Sequence, residues 1–209
     1  MIVELRQYSL RPGRRDDLIA LFDREFVHTQ EAAGMRVIGQ FRDLDDPDRF
    51  VWLRAFPDMP SRAAALTAFY TGPTWMAHRA EANATMLDSD NVLLLRPATA
   101  TPPFPTAPDS GGPFLATLHF GERPFGDDFA GLVAARAAEF GVAPLALLTT
   151  EYAENTFPAL PVRTGEHVFA WFAGFPDEDA LADHLKRFPR LTDSTRHLRL
   201  SPTAGSRLR

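Results

Sequence analysis

The chain has 209 residues, of which 45% are hydrophobic and 23% are charged, and its formal net charge is −5. This balance is that of an ordinary globular protein, so it excludes collagen-like, disordered and membrane-embedded classes. Neither half carries an excess of basic residues, so we expect no nucleic-acid partner. No run of about 18 apolar residues occurs, so we expect no membrane partner either.

The chain has no cysteine. Disulfides, zinc–thiolate sites, iron–sulfur clusters and thiol catalysis are therefore excluded. Residues 1–6 show neither the basic segment nor the apolar segment of a secretory signal. The sequence therefore predicts a cytoplasmic protein.

The first half of the chain predicts four strands and three helices. Alternating apolar residues indicate strands, apolar residues at helical spacing indicate helices, and Gly34 is a typical helix stop. In chain order these are a strand at 2–10, a helix ending at Gly34, strands at 35–43 and 49–56, helices at 61–70 and 74–86, and a strand at 91–96. The order βαββαβ is that of the ferredoxin-like unit.

Residues 97–113, PATATPPFPTAPDSGGP, hold six of the 18 prolines. Because proline removes a backbone donor and fixes φ, this stretch predicts an extended, solvated linker. It divides the chain into a unit at 1–96 and a unit at 114–209.

The second half repeats the first. Residues 52–58, WLRAFPD, match residues 171–177, WFAGFPD, and three other matches occur in the same order. The predicted elements again follow the order βαββαβ, at 114–120, 127–140, 144–152, 167–175, 177–188 and 196–200. We therefore interpret the chain as a tandem repeat.

A ferredoxin-like unit covers one sheet face with helices and must bury the other. Two units satisfy this requirement by stacking their free faces, with a space between the sheets. Alternation in the third strand predicts that Val51, Leu53 and Ala55 face the helices. The side chains then expected in the inter-sheet space are Glu4, Arg6, Tyr8, Phe50, Trp52, Arg54, Phe56, Phe169 and Trp171.

Three segments of the first half resemble the NIPSNAP family, and together they span residues 1–98. They are residues 3–13, VELRQYSLRPG, residues 73–81, PTWMAHRAE, and residues 92–97, VLLLRP. The second half is a divergent copy, in which we place Ala116, Leu118 and Phe120 at the positions of Glu4, Arg6 and Tyr8.

The resemblance implies an α+β fold, the dimeric α/β-barrel, with both ferredoxin-like units packed sheet to sheet within one chain. The same superfamily includes cofactor-free monooxygenases, lactone isomerases, polyketide cyclases and some haem enzymes. A family name of this breadth implies a fold more directly than a reaction.

Polar residues on a face that otherwise packs sheet to sheet predict a pocket for a small apolar, aromatic or polyketide-like molecule. We assign Arg6, Tyr8 and Arg54 as catalytic residues that orient and polarise this molecule. The expected binding residues are Glu4, Phe50, Trp52, Phe56, Phe169 and Trp171. The alternatives are a structural Glu4–Arg6 ion pair, stacking of Arg54 on an aromatic ring, and tryptophans that only fill the core.

The predicted reaction is a cofactor-independent isomerisation, cyclisation or oxygenation. No cofactor is expected, and the six histidines show no metal-binding spacing. His119 and His167 lie on predicted strands, where each is a general base, a haem ligand or a structural residue. Two other functions stay open, a non-catalytic binding or adaptor module and a haem-dependent enzyme. A second copy of the chain, in a homodimer, is the one protein partner that we consider.

Overall fold

The computed structural model describes residues 1–104 and 111–209, so the predicted linker residues 105–110 lie outside the described residues. Within these ranges the strands are β1 Ile2–Leu10, β2 Arg36–Asp43, β3 Arg49–Phe56, β4 Met86–Asp88, β5 Val92–Pro97, β6 Phe114–Gly121, β7 Ala146–Thr150, β8 His167–Gly174 and β9 Ser194–Pro202. The helices are α1 Arg15–Leu21, α2 Val27–Ala32, α3 Met59–Tyr70, α4 Pro73–Thr85, α5 Asp127–Glu139 and α6 Glu178–Arg187. A π-helical segment, Phe22–Phe26, connects α1 to α2. In the described part of the chain, no helix has both the length and the apolar character needed to cross a bilayer.

The strands form two four-stranded antiparallel sheets that close into one barrel. The first sheet has the order β2-β3-β1-β5, with the short β4 added beside β1, and the second has the order β9-β6-β8-β7. The sheets join where β2 pairs with β9 and where β5 pairs with β7. Each sheet has the ferredoxin-like order, so the predicted α+β barrel made from two units in one chain is confirmed.

The interior of the barrel is filled by apolar side chains from both units. Val51, Leu53 and Ala55 of β3 lie there, in one cluster with Leu118 of β6 and Phe172 of β8. An eight-stranded barrel is just wide enough for its side chains to fill it. The inter-sheet space is thus a packed core, and the prediction of a ligand pocket in it is wrong.

The prediction of which strand face packs against the helices is therefore wrong, because the opposite face of each strand does so. Phe50, Trp52 and Phe56 pack outward against the helices of their own unit. Glu4 and Arg54 are on this outer face too, where Arg62 of α3 and Gln30 of α2 pair with them. Closure of the barrel removes its interior from water, so charged groups lie where the helices supply partners.

The proline-rich stretch is less solvated than we expected from its composition. Phe104 is 1% exposed, belongs to the barrel core and packs its ring 5.2 Å from that of Phe172. Its backbone N–H donates to Leu145 O, and its carbonyl accepts from Arg36 Nη2. Phe104 also has a φ of +52°, a region that non-glycine residues rarely adopt. The connection between the units thus supplies a side chain to the barrel core.

The assignment of the barrel interior can be tested with one cavity-forming substitution. Leu53→Ala removes a side chain that is 0% exposed, and we expect it to lower the free energy of unfolding by about 3 kcal/mol. Leu132→Ala is the control, because Leu132 lies on α5 and is 46% exposed, and its effect should stay below about 0.5 kcal/mol. Urea denaturation followed by circular dichroism measures both values, and equal effects would contradict the assignment.

Candidate functional site

A buried cluster of four charged side chains lies between the first sheet and its helices. Glu4 Oε2 accepts hydrogen bonds from Arg6 Nη1 at 2.7 Å and from Arg54 Nε at 2.8 Å. Glu4 Oε1 accepts from Arg62 Nε at 2.6 Å. All four side chains are buried. We call Glu4, Arg6, Arg54 and Arg62 the charged cluster.

Strand register and one helix cap bring these residues together. Glu4 of β1 lies directly opposite Arg54 of β3, and Arg6 lies two residues further along β1 on the same face. Arg62 comes from the first turns of α3, which begin where the Asp58 carboxylate accepts a hydrogen bond from the Ser61 N–H at 2.7 Å. The cap therefore sets the start of the helix that carries the third guanidinium.

The charged cluster carries more positive than negative charge. Burial alone raises the pKa of Glu4, but the attraction of Arg54, Arg6 and Arg62 outweighs this effect and holds its pKa well below the usual range. Glu4 is thus ionised, and one carboxylate faces three guanidinium groups. Arg54 Nη2 and Arg62 Nη2 are buried and have no hydrogen-bond partner among the described residues. The charged cluster is therefore electropositive.

Tyr8 adjoins the charged cluster. Its hydroxyl accepts a hydrogen bond from Arg6 Nε at 3.0 Å. Burial lowers the pKa of Arg6, but the attraction of Tyr8 and Glu4 reverses the shift and raises it, so Arg6 remains charged. A hydroxyl that accepts still has a proton to donate. No acceptor for that proton is found in residues 1–104 and 111–209, so Tyr8 can donate it to a ligand.

A pocket lies under α4, on the outer side of the barrel. Its outer part has a volume of about 350 Å³ and is lined by Tyr8, Tyr70, Trp75, Met86, Phe157 and Leu160, among others. A narrow inner part of about 30 Å³, which is room for one or two waters, continues between the helices and Trp52. Tyr8, Tyr70, Trp75 and Met86 line both parts. We call the two parts together the helix-side pocket.

The π-helical segment Phe22–Phe26 forms part of the inner wall. Its two terminal phenylalanines are buried and line the inner part of the pocket. The ring centroid of Phe22 lies 4.7 Å from that of Trp52, and the ring centroid of Phe26 lies 5.7 Å from that of Trp75. Because a π turn changes the direction in which side chains leave a helix, such segments often occur at binding sites.

The polar groups that line the pocket include two phenols that can donate hydrogen bonds, Tyr8 and Tyr70. Burial raises the pKa of Tyr70, so its phenol stays neutral at physiological pH and can donate. The described lining of both parts contains no carboxylate and no imidazole. Among the described residues, no three His, Asp or Glu side chains lie together as metal ligands. The pocket can thus hold an apolar ring and donate hydrogen bonds to an oxygen on it.

The structure brings part of the predicted site together. Glu4, Arg6 and Arg54 form the charged cluster with Arg62, Tyr8 adjoins it, and Trp52 lies at the inner end of the pocket. Phe50 packs against Tyr8, at 6.4 Å between ring centroids, and supports the pocket from behind. Phe56 lies under the Arg54 guanidinium, which is 5.5 Å from its ring centroid.

Phe169 and Trp171 do not belong to this site. Both are buried in the second unit, in the cluster that α5 and α6 cover. Their expected position opposite Trp52, across a shared space, is therefore wrong. Repeat-related residues do occupy equivalent faces of the two sheets, but these faces point outward on opposite sides of the barrel.

Strand pairing also corrects the alignment of the two units. Trp52 pairs with Arg6, and its repeat counterpart Trp171 pairs with Thr117. By the same pairing, Leu115 corresponds to Glu4 and His119 corresponds to Tyr8. The expected counterparts Ala116, Leu118 and Phe120 instead contact the barrel interior.

Sequence reasoning missed Arg62, Tyr70, Trp75 and the residues of the second unit that reach the pocket. Two signals were present in the sequence. Arg62 interrupts the apolar face of an alanine-rich helix, and the segment with Trp75 has no counterpart in the second half. The contribution of the second unit had no local signal, because it depends on a contact between distant parts of the chain.

The charged cluster predicts a specific response to acid. The folded-state pKa of Glu4 is lowered, so the unfolded chain binds more protons and stability falls as the pH drops below about 4.5. Glu4→Gln leaves three buried guanidinium groups without their carboxylate, and we expect it to cost about 3–5 kcal/mol at pH 7. When the pH is lowered below about 4.5, the free energy of unfolding of the variant should also fall less than that of the native chain. Urea denaturation at a series of pH values measures both effects.

The control for this substitution is Glu139→Gln, which removes the carboxylate of the surface ion pair with Arg136. We expect it to cost less than about 1 kcal/mol. If Glu4→Gln is as mild as this control, the carboxylate does not hold the cluster together.

Comparison with known proteins follows the same division of the chain. The NIPSNAP family model matches residues 3–102. A NIPSNAP-like domain protein from Burkholderia xenovorans is 28% identical, with 50% of this chain and 90% of that chain covered and a TM-score of 0.45. No curated protein matches the chain.

Two solved structures cover almost the whole chain. A monooxygenase-like protein from Lactobacillus acidophilus is 14% identical, covers 98% of this chain and 97% of its own, and has a TM-score of 0.55. One from Fusobacterium nucleatum is 8% identical, covers 96% and 91%, and has a TM-score of 0.56. At these identities the likeness concerns the fold, a barrel made from two units. Residues 3–102 are thus a NIPSNAP domain, joined within one dimeric α/β-barrel to a divergent second unit.

Proposed function

We propose that this chain binds an apolar aromatic or polyketide-like metabolite in the helix-side pocket and acts on it as a cofactor-independent enzyme. The observation that supports this most is the Tyr8 hydroxyl, which accepts from Arg6 at the wall of the pocket and has no acceptor for its own proton among the described residues. The pocket is of the size that small-molecule sites have. The proposal moves the expected site from the inter-sheet space to the outer side of the first sheet.

The charges behind the pocket define the ligand further. Three guanidinium groups face a single carboxylate, and buried charges act over short distances with little screening. A ligand oxygen that becomes negative beside Tyr8 is stabilised by this field. The ligand class is therefore an aromatic ring system with a phenol or an enolisable ketone.

Stabilisation of an enolate is the step shared by the expected reaction types. In the isomerase form, hydroxide from the solvent takes the proton from the carbon next to the ligand carbonyl and leaves as water, because the described lining supplies no base. Tyr8 and Tyr70 donate hydrogen bonds to the enolate oxygen. Water then gives a proton to a different carbon of the ligand, which regenerates the hydroxide. The net reaction moves one proton and one double bond and consumes no second reactant.

Binding can be tested with two probes that differ by one hydroxyl. We expect 1-naphthol to bind more tightly than naphthalene, and Tyr8→Phe to weaken 1-naphthol binding about tenfold because one hydrogen bond to the ligand is lost. Naphthalene binding should stay unchanged in Tyr8→Phe, while Trp75→Ala should weaken both. Isothermal titration calorimetry measures these affinities. If neither probe binds the native chain, the proposed function is wrong.

Catalysis is tested separately from binding with an enolisable probe. In D₂O, the native chain should accelerate the exchange of the protons next to the carbonyl of 2-tetralone, and Tyr8→Phe should reduce that acceleration about tenfold or more. Proton NMR follows the exchange, with Tyr152→Phe, an exposed tyrosine of the second unit, as the control. Binding of 1-naphthol without any acceleration would leave the alternative, a non-catalytic binding module.

A further inference from the structure

The second unit has an apolar core where the first unit has its charged cluster. The strand pairing of the two sheets shows which positions are equivalent. Leu115 occupies the position of Glu4, Thr117 that of Arg6 and Ala173 that of Arg54. The helices α3 and α6 both begin after an aspartate cap, Asp58 and Asp177, and this alignment places Leu181 at the position of Arg62. The same fold thus forms without the charged cluster, which argues that the cluster serves the site of the first unit.

The hairpin connection of the second unit is unusually long. Residues 151–166 separate β7 from β8, whereas residues 44–48 separate the equivalent strands β2 and β3. Connections longer than about 12–15 residues without secondary structure are uncommon in compact domains, and many of them serve as binding loops. We call residues 151–166 the β7–β8 loop.

This loop packs over the helix-side pocket of the other unit. Phe157 and Leu160 belong to the hydrophobic cluster of the first unit, and both line the outer part of the pocket. The ring centroid of Phe157 lies 5.8 Å from that of Tyr70. At the far end of the loop, the Arg163 N–H donates to Val92 O. The loop therefore forms one wall of the pocket.

One side chain connects the wall to the charged cluster. Asn155 Oδ1 accepts hydrogen bonds from Arg62 Nη1 at 3.0 Å and from the Phe157 N–H at 3.1 Å. Asn155 Nδ2 donates to Leu160 O at 2.9 Å. Asn155 thus links both wall residues to Arg62, whose Nε donates a hydrogen bond to Glu4.

We propose that the β7–β8 loop determines which ligands fit the helix-side pocket, with Phe157 and Leu160 as its specificity-determining residues and Asn155 as the residue that positions them. This inference rests on the proposed function and adds that the two units contribute different parts of the site. The first unit supplies the polar chemistry of the site, and the second unit supplies the wall that limits the size of the ring system.

The experiment compares two probes of different size, 1-naphthol and 1-hydroxypyrene. The native chain should favour 1-naphthol. Asn155→Ala and Phe157→Ala open the wall, and we expect each to change the ratio of the two dissociation constants about tenfold in favour of 1-hydroxypyrene. Glu154→Ala is the control, because Glu154 is exposed on the same loop, and it should leave the ratio unchanged. Calorimetric titration measures the constants.

A purely structural role for the loop gives a different result. In that case Asn155→Ala would weaken the binding of both probes by the same factor and leave the ratio of their dissociation constants unchanged. This outcome overturns the inference while the proposed function stands. If the native chain binds neither probe, the proposed function fails and the inference fails with it. If Asn155→Ala does not fold, Asn155→Asp keeps the acceptor for Arg62 and loses the donor to Leu160, and Phe157→Leu shortens the wall residue alone. The same change in ratio is expected from both.

Discussion

Strand pairing at two seams closes the barrel, and this closure decides where a ligand can bind. Once β2 pairs with β9 and β5 with β7, the inner faces of both sheets bury each other. The interior of this eight-stranded barrel is filled by apolar side chains. Polar chemistry is thus confined to the outer faces, where helices supply both cover and hydrogen-bond partners.

On the outer face of the first unit, burial gives the charged cluster its effect. Glu4 is ionised because three guanidinium groups surround it, and their excess positive charge is not screened by water. The Tyr8 hydroxyl accepts a hydrogen bond from Arg6 and lines the helix-side pocket, so it lies between this positive charge and a bound ligand. The second unit shows that the fold does not require this arrangement, since apolar residues occupy three of the four equivalent positions.

The tandem repeat permits the two units to diverge. In a barrel of two identical chains, every loop and every site occurs twice. In a single chain, one unit can keep the polar site while the other lengthens a loop that reaches across to it. The contact between Asn155 and Arg62 joins residues that are 93 positions apart, so it exists only in the closed barrel.

The sequence by itself determined the elements, the repeat and the ferredoxin-like order, because these depend on local periodicity and on turn residues such as Gly34 and Pro12. It also identified Glu4, Arg6, Tyr8 and Arg54 as one group, since alternation places them on one face of paired strands. Only the tertiary structure decided which face that was. Alternation distinguishes the two faces of a strand, but it does not show which face lies inside the barrel when both faces are buried. The packing of Val51 and Leu53 against the second sheet identifies the inner face.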